Sequence, residues 1–444
     1  YIDPVSGSDS HNATQAQSQD TPWASWSKAV ASGSWTAGNQ FLQKRGTTYS
    51  GQIESAGGGS LGKNIYLGAY GSGERPIVQA LTLFDRALRI YGAHDYITVE
   101  GIEFVGGQKT GQRNYGGTIG SDSSTRSDGC KVIDCVFRDT LAYASGDGNG
   151  LQAFADDFLF ERNYVHDIPT DGLWMMGLRP IIRFNRFVRC ATDGRGAGDC
   201  VQIDGDASGM QVYRNVFDHS NTEEKQCFIL SSASAGSGGF VAFNLCYMPT
   251  NTSNLTSCIL IDQPGVRVFG NRCYGGYNGI YVEGAGSRVF GNLIDGAYIG
   301  ISTPASLSAV NIWHNTAVNC GNFGIYCDDD DAGVVVQANM LQGNAKGLGL
   351  RENATRAGNA YWHNTTDTVA VGEYTWSESG AVTDDPLLTS SYAPRQGSPL
   401  IEAATYAAWV RDINGRKLKR TPDIGAHQYY APREAVAVAR ISVG

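Results

Sequence analysis

Acidic and polar residues cluster between residues 143 and 231 and recur there at regular intervals. The segments are DGNG (147–150), HDIPTDG (166–172), GDC (198–200), DGD (204–206) and EEK (223–225). Counted back from the apolar run that follows each, Asn149, Asp171, Asp199 and Gln226 occupy matching positions. Carboxylates stacked at the ~5 Å spacing of neighbouring strands repel each other unless a cation or a shared proton compensates. Asp171 and Asp199, with Asp204 nearby, are therefore the best candidates for acid–base or cation chemistry. The alternative is that both carboxylates cap turn amides.

Aromatic and polar side chains at outward positions of the same repeats are candidates for sugar binding. Trp174 leads them, because an exposed indole on a flat sheet is costly without a partner and sugar rings stack on aromatic faces. A loop folded over Trp174 is the alternative, and His166 also fits an ordinary turn residue. The predicted substrate-binding set is Trp174, Gln202, His166, Tyr281, Tyr326 and Arg351.

These positions follow from a repeat in the middle of the chain. Nine short alternating apolar runs each meet an Asn, and 196 residues over eight steps give an average repeat of 24.5 residues. The alternation indicates half-buried strands and excludes helices, because the apolar period is two. Asn tolerates left-handed backbone angles, and its amide can bond to the matching amide one coil along, which predicts a ladder. The nine are Asn163, Asn185, Asn215, Asn244, Asn271, Asn292, Asn315, Asn339 and Asn359, preceded by Gly101 and Cys135 in two weaker repeats.

A second strand follows each Asn run and sorts its residues into inward and outward columns. It begins with Gly or Cys in every repeat, and mostly aliphatic residues then alternate with outward positions. The first outward column is predicted to hold Gln152, Trp174, Gln202, Ile229, Leu260, Tyr281, Ser302 and Tyr326. The second is predicted to hold Asp204, Ser231, Asp262, Glu283, Asp328 and Arg351. Repeats of this kind predict an all-β fold, the right-handed parallel β-helix, in which each coil contacts only its neighbours.

The two ends of the chain differ from the repeat. TPWASWSKAVAS (21–32) has a Thr cap, an early Pro and helical apolar spacing, which predicts a short helix that seals the first coil. The predicted organisation is an N-terminal cap with the first coils (1–90), a β-helix core (91–362) and a C-terminal coil or capping segment (363–444). The last segment is expected to pack against the final coils.

Composition narrows the function classes. The chain has 444 residues and a net charge of -9. It has neither a Lys/Arg cluster for nucleic acid nor an apolar run of membrane-spanning length, so neither partner is expected. Its ten Cys match no zinc spacing and are expected to be buried thiols or disulfides. Cys246 and Cys273 are predicted to stack inward on adjacent coils, with a disulfide between them left open.

The two termini carry a family resemblance. YIDPVSGSDS, PWASWSKAV, FLQKRGTTYSGQI and LGAYGSGERPIV at the start, with SPLIEAATY and RDINGRKLKRTPDIGAHQY at the end, resemble secreted bacterial β-helix proteins related to pectate-lyase-like enzymes. The resemblance implies a polysaccharide-degrading protein that is extracellular or on a virion surface. A homotrimer would be expected for a phage protein. The group also contains non-catalytic members, so the resemblance leaves the reaction open.

Two shorter resemblances bear on the reaction. TDG (170–172) and GDCV (198–201) resemble the aspartate motifs of polygalacturonase-type hydrolases, with Gly198 where that family has a first Asp. The other is to calcium-dependent pectate-type lyases, in which Asp residues on neighbouring coils hold calcium and a Lys or Arg is the base. It implies that Asp147, Asp171 and Asp199 bind calcium, the one cofactor expected, and that Lys225 is the base.

Three functions compete on this sequence. A lyase would use Lys225 or Arg351 with Asp-bound calcium to eliminate across a uronate. An inverting hydrolase would use two of Asp171, Asp199 and Asp204. A non-catalytic carbohydrate-binding surface protein would need only the aromatic and polar columns. The carboxylates on adjacent coils favour an enzyme, and the expected activity is a polysaccharide lyase with catalytic Asp171, Asp199, Asp204 and Lys225.

Overall fold

A computed structural model gives the structure of the chain. The structure describes residues 1–81, 84–109, 112–141, 148–192, 198–219, 226–231, 238–249, 256–304, 309–328, 333–351, 354–371, 378–404, 412–414, 416 and 421–430. Its helical elements are a 3-10 turn, Gln15–Gln17, and one α-helix, α1, Trp26–Ala31. Within these residues no helix has the length and apolar character needed to cross a membrane.

Thirty-nine strands, numbered in chain order, form three parallel sheets of 13 strands each. Sheet A contains β1 Gln40–Lys44, β4 Ile65–Tyr70, β7 Ile97–Glu100, β10 Lys131–Ile133, β13 Leu159–Glu161, β16 Ile181–Arg183, β19 Gln211–Tyr213, β22 Phe240–Ala242, β25 Arg267–Phe269, β28 Arg288–Phe290, β31 Asn311–Trp313, β34 Val335–Gln337 and β37 Thr355–Ala357. Sheet B contains β2 Thr48–Ser50, β5 Ile77–Leu81, β8 Glu103–Gly107, β11 Val136–Arg138, β14 Tyr164–His166, β17 Arg186–Val188, β20 Val216–Asp218, β23 Leu245–Tyr247, β26 Arg272–Tyr274, β29 Leu293–Asp295, β32 Thr316–Val318, β35 Met340–Gln342 and β38 Ala360–Trp362. Sheet C contains β3 Ile53–Glu54, β6 Arg86–Ile90, β9 Tyr115–Ile119, β12 Leu151–Phe154, β15 Leu173–Met176, β18 Val201–Asp204, β21 Phe228–Leu230, β24 Ser257–Ile261, β27 Asn278–Val282, β30 Ile299–Thr303, β33 Phe323–Cys327, β36 Lys346–Leu350 and β39 Thr366–Ala370.

Every third strand pairs with its counterpart one coil along, so the chain is a right-handed parallel β-helix, as predicted. Each coil has three strands where the sequence suggested two. The run PIIRFNRFVR, for example, contains both β16 and β17, with Phe184 and Asn185 at the corner between them. The left-handed residue at this corner is Phe184, with φ of 59°, and it precedes Asn185. The left-handed backbone angle, which Asn would tolerate, therefore falls at this corner on the residue before the Asn.

The corner Asn side chains form the predicted ladder. The Nδ2 of Asn244 donates to the Oδ1 of Asn271 at 3.0 Å, and the backbone N–H of Asn244 donates to the same oxygen at 3.0 Å. The pattern repeats from Asn163 to Asn359. Cys135 donates its backbone N–H to Asn163 at one end. At the other end the Glu378 carboxylate accepts from Asn359 and from the Tyr361 hydroxyl, and burial raises the pKa of Glu378. The ladder thus satisfies buried polar groups of neighbouring coils along its whole length.

Replacing Asn271 by Ala should destabilise the fold strongly. The change leaves two buried N–H donors of Asn244 without their acceptor, and each such loss costs about 1–3 kcal/mol. Chemical denaturation should show a free energy of unfolding lower by about 2–5 kcal/mol. Asn311→Ala, in the strand just before the ladder residue Asn315, is the matched control and should change it by less than about 1 kcal/mol. Equal losses in the two variants would show that the ladder adds nothing beyond general packing.

Inward side chains from all three sheets form one continuous apolar core. Cys246 and Cys273 are opposite each other on β23 and β26 and fully buried, as predicted. All ten cysteines are buried and free, so the disulfide left open between these two is absent. Burial raises the pKa of both thiols, which makes them unreactive parts of the core.

Helix α1 covers the N-terminal end of the β-helix core. Trp26 is fully buried, and its indole N–H donates to Gln43 at 2.7 Å. Its N-cap is Ser25, whose hydroxyl accepts from the Lys28 N–H at 3.0 Å. The predicted Thr21 cap was wrong, because the helix begins five residues later. At the other end Leu400 and Ile424 pack on Met340 and Ala360 of sheet B, which confirms that the C-terminal segment packs against the last coils.

Strand pairing continues across residues 90 and 362, the bounds of the predicted segments, and the division into three segments stays a prediction. β6, which ends at Ile90, pairs with β9, and the last coil continues through β39 to Ala370. The coils therefore form one uninterrupted stack. Because the C-terminal segment covers the outer face of sheet B in the last coils, the outer faces of sheets A and C remain as candidate binding surfaces.

Candidate active site on the outer face of sheet C

The outward columns of sheet C are those predicted. Gln152, Trp174 and Gln202 are paired on successive strands, and the same register continues through Ile229, Leu260, Tyr281, Ser302 and Tyr326. The residues between them are fully buried, including Ala153, Met175 and Ile203. The alternation of β-strands therefore places a column of side chains along one flank of the molecule, polar or aromatic except at Ile229 and Leu260.

Trp174, Gln202 and Asp204 form a compact group on this face. The Asp204 carboxylate accepts from the Trp174 indole N–H at 2.8 Å and from the Gln202 amide at 3.0 Å. Phe154, on the preceding coil, contacts the indole edge-on with ring centroids 5.3 Å apart. These contacts fix the indole and the carboxylate relative to each other. The side chains of Trp174, Gln202 and Asp204 all remain half-buried. The group offers an aromatic face for a sugar ring beside an oriented carboxylate.

Asp171 and Asp199 occupy matching turn positions before β15 and β18, as predicted. The Asp171 carboxylate accepts from the Asp199 N–H at 2.9 Å, and the Asp199 carboxylate accepts from the Gln226 N–H at 2.8 Å. Their exposures are 8% and 4%. Both carboxylates therefore cap backbone amides of the next coil, which is the alternative that the sequence had left open.

The expectation that Asp204 lies near Asp171 and Asp199 was wrong. Asp199 precedes β18, and Asp204 is the last residue of that strand. Five residues of extended chain span about 16 Å, whereas the two carboxylates of an inverting hydrolase lie about 6.5–9.5 Å apart. Asp199 and Asp204 therefore cannot form that pair. The strand separates a buried pair at one edge of sheet C from an accessible group at the other.

Two further polar groups lie along the same face. Tyr281 bonds to Glu283, and burial together with the Glu283 and Asp262 carboxylates raises the pKa of Tyr281. Farther along, the Arg351 guanidinium binds Asp328 at 2.7 Å, and burial and Asp328 raise the pKa of Tyr326. Tyr281 is three strand spacings from Gln202, about 14 Å, and Tyr326 is five spacings away, about 24 Å. These residues can extend a binding face but are remote from Asp204.

His166 does not share this face. It lies on β14 in sheet B, stacks on Tyr164 at 4.3 Å and bonds to Asp167 at 2.6 Å. Arg189 completes that group through its own bonds to Asp167. His166 is thus part of a local ion-pair cluster, and its predicted contact with substrate stays a prediction.

The remaining site predictions lie outside the described residues. Asp147 and Lys225 both fall there, so the calcium set is described only for Asp171 and Asp199. No group of three His, Cys, Asp or Glu residues within the described ranges is placed to hold a metal ion.

The sequence reasoning did not single out Asp262 and Glu283 as chemical candidates. They occupy the second outward column with Asp204, as the backbone bonds from Ser231 to Ile203, Asp262 to Leu230 and Glu283 to Ile261 show. Asp204 and Asp262 are two strand spacings apart, about 10 Å, with Ser231 between them. The sequence signal that could have identified them is the alternation of the second strand in each repeat, which places Asp204, Asp262 and Glu283 in one outward column.

Known proteins give a likeness of fold. The profile of the family described as "Periplasmic copper-binding protein (NosD)" matches residues 245–383. No curated protein matches the chain. Among solved structures, the PL6 family alginate lyase AlyGC superposes with a TM-score of 0.61 at 13% identity, over 90% of this chain and 56% of that one. The complex of XylC with xylose gives 0.56 at 10% identity, over 97% and 98%. A mannuronic acid specific polysaccharide family 6 lyase from human gut microbiota gives 0.56 at 15% identity, over 78% and 89%.

The likeness shows the fold. At these identities it carries neither a reaction nor a substrate to this chain. The family profile covers a minority of the chain and leaves out Trp174, Gln202 and Asp204. The chemistry must therefore be argued from the residues of sheet C.

Proposed function

We propose that this protein degrades a polysaccharide that lies along the outer face of sheet C, with Trp174 binding a sugar ring and Asp204 acting at the linkage. The observation that carries the proposal is the fixed group of Trp174, Gln202 and Asp204 on an accessible strand face. A polymer substrate would place the protein outside the cell or on a virion surface, where such polymers occur. Oligomerisation, including a homotrimer, is left as a proposal for a phage-derived chain.

β-Elimination from a uronate-containing polymer is the proposed reaction. A base removes the proton on the carbon beside the carboxylate and a positive group stabilises the enolate. The glycosidic oxygen then departs as an alcohol, with a proton from Asp204 as general acid, as a double bond forms. Lys225 is the proposed base. It directly precedes Gln226, whose backbone N–H binds Asp199. One of the similar structures is described as an alginate lyase and another as a mannuronic acid specific polysaccharide lyase, which supports elimination over other reactions.

Hydrolysis is the second candidate, and the second outward column supports it. Asp204 and Asp262 are separated by about 10 Å of sheet, close to the upper end of the range for inverting enzymes. One carboxylic acid would protonate the leaving oxygen while the other carboxylate activates water on the opposite side of the sugar. This pair replaces the pair of Asp199 and Asp204, which the strand holds too far apart.

Trp174→Ala should weaken polysaccharide binding about 5- to 30-fold, because loss of one aromatic stacking face removes on the order of 1–2 kcal/mol. The melting temperature should change little, since the indole lies outside the core. Tyr247→Ala, which removes an exposed aromatic ring from β23 of sheet B, is the matched control and should leave binding intact. Affinity electrophoresis in a susceptible polysaccharide measures binding. Unchanged binding in Trp174→Ala would remove the indole from the site, and a much larger loss of stability than in Tyr247→Ala would show a core residue.

Calcium is proposed to take part in the elimination, bound by Asp147, Asp171 and Asp199. Chelation with EDTA should then abolish cleavage, and added calcium should restore it, because the cation offsets charge on the enolate. Magnesium at the same concentration is the control, since it demands a smaller and more regular set of oxygen ligands. Full activity after chelation would remove calcium from the reaction and favour the carboxylate hydrolase.

A further inference from the structure

The outer face of sheet A carries an unbroken run of aromatic rings. Tyr213 packs on Phe240 with centroids 5.8 Å apart, Phe240 packs on Phe269 at 5.8 Å, and Phe269 stacks on Phe290 at 5.0 Å. Phe184, which is 43% exposed, meets Tyr213 edge-on at the start of the run. Phe290 is buried, so the accessible part of the run extends from Phe184 to Phe269.

Arginine side chains accompany these rings. Arg214 lies over Phe184 at 5.6 Å, and Arg267 lies over Phe240 at 5.8 Å. Arg183 also faces Tyr213 and binds its hydroxyl at 2.7 Å, although it is already paired with Glu161. The strand and corner positions of sheet A from Arg183 to Trp313 contain no Asp or Glu. On a chain with a net charge of -9, this face is a local concentration of positive charge.

Arg267 and Arg288 make this face unusual. They belong to the repeated segments RVFGN (267–271) and RVFGN (288–292), and they are directly opposite each other on β25 and β28. Like charges opposite each other on neighbouring strands destabilise a sheet unless something compensates. Both side chains are exposed, and neither has a salt bridge to a carboxylate anywhere in the part of the chain that the structure describes. An external anion would remove the repulsion.

We propose that the outer face of sheet A, from Phe184 to Arg288, is a second binding surface whose occupant is an anionic polysaccharide. Exposed guanidinium groups bind carboxylates through two parallel hydrogen bonds, and the rings between them offer faces to sugar rings. The alternation of rings and guanidinium groups fits a polymer that repeats both a sugar ring and a carboxylate. The surface lies on a different sheet from Trp174 and Asp204. The proposal depends on the proposed function only in its choice of the class of polymer. It would hold a polymer chain on the protein while sheet C acts on the linkage.

The test measures binding of polygalacturonate, as an anionic probe, by isothermal titration calorimetry. It is made in a background that carries both Trp174→Ala and Asp204→Asn, in which sheet C binds less and turnover is suppressed, and dextran is the neutral comparison. Arg267→Gln with Arg288→Gln removes the opposed pair. Arg186→Gln with Arg395→Gln removes the same charge from exposed positions outside sheet A. The first double variant should bind at least about 10-fold more weakly than its parent, since it loses the charged hydrogen bonds of both guanidinium groups to the polymer. The control pair should stay within about 2-fold, and dextran should not bind.

If both double variants lost the same affinity for polygalacturonate, the loss would reflect net charge alone, and the proposed binding surface would be overturned. Absence of polygalacturonate binding in the parent, or equal binding of dextran, would overturn it as well. Tighter binding of single-stranded DNA than of polygalacturonate through the same arginines would overturn the choice of polymer. Thermal melting of each variant confirms folding, and removal of the opposed pair should leave the melting temperature unchanged or raise it. Because binding is measured without turnover, failure of the proposed catalytic function leaves this result readable.

Discussion

Asp204→Asn is expected to lower the cleavage rate on a susceptible polysaccharide by on the order of 10² or more, the usual loss when a general acid or base is removed. The Asn side chain keeps the size of Asp204 and an oxygen that can accept from the Trp174 indole, so the group should stay assembled. What is lost is the charge and the ability to transfer a proton. Initial rates of reducing-end release, with melting temperatures as a folding check, measure the effect.

Asp206→Asn is the matched control for this variant. Asp206 lies two residues beyond Asp204 and caps the Ser208 N–H at 2.9 Å, a bond that Asn retains. It therefore carries the same loss of charge without a place in the proposed chemistry, and its rate should be near that of the unmodified protein. Full activity in Asp204→Asn would move the reacting centre to the face between Tyr281 and Arg351.

The same substitution separates two roles for the buried pair. In Asp171→Asn and Asp199→Asn the side-chain oxygen still caps the amide of the next coil. If capping is their only role, stability and activity should both survive. If they hold calcium or take part in the reaction, as the sequence predicts, activity should fall while the melting temperature stays close to that of the unmodified protein.

Lys225→Ala is expected to lower the rate by on the order of 10² or more if the reaction is elimination, because no other base is proposed for the uronate proton. Lys131→Ala, an exposed lysine on β10 of sheet A, is the control and should have no effect. The readout is formation of unsaturated product at saturating polysaccharide, which separates turnover from binding. Full formation of unsaturated product by Lys225→Ala would show elimination with a base other than Lys225. Release of reducing ends without unsaturated product would leave hydrolysis with Asp204 and Asp262.

The residues that stack on each other along the axis of the β-helix could be predicted from the sequence. The distances between residues within one coil could not. Asn163 to Asn359, Cys246 with Cys273, and Trp174 beside Gln202 were all placed correctly, because equal positions in successive repeats stack in register. The error about Asp199 and Asp204 has the opposite origin. Their separation depends on where β18 begins and ends, and a repeat length does not contain that information.

The corner at Phe184 shows the same limit. An alternating run interrupted by Asn fits one strand with a polar residue or two strands with a bend, and both bury the same apolar residues. Only the backbone distinguishes them, through the positive φ of Phe184. The role of Asp171 was equally open, because a stacked Asp can serve a cation or a turn amide. The bond to the Asp199 N–H shows that Asp171 caps a turn amide, and its binding of calcium stays a prediction.

Digestion of a panel of neutral and uronate-containing polysaccharides tests the central claim most directly, with each product read both by reducing ends and by the ultraviolet absorbance of an unsaturated uronate. The account predicts that at least one uronate-containing polymer is cleaved with both signals rising together, and that Asp204→Asn lowers both. Reducing ends without unsaturated product would establish hydrolysis in place of elimination. Binding to a polymer with neither signal, under conditions in which the protein is folded, would contradict an enzymatic role and leave a carbohydrate-binding surface protein.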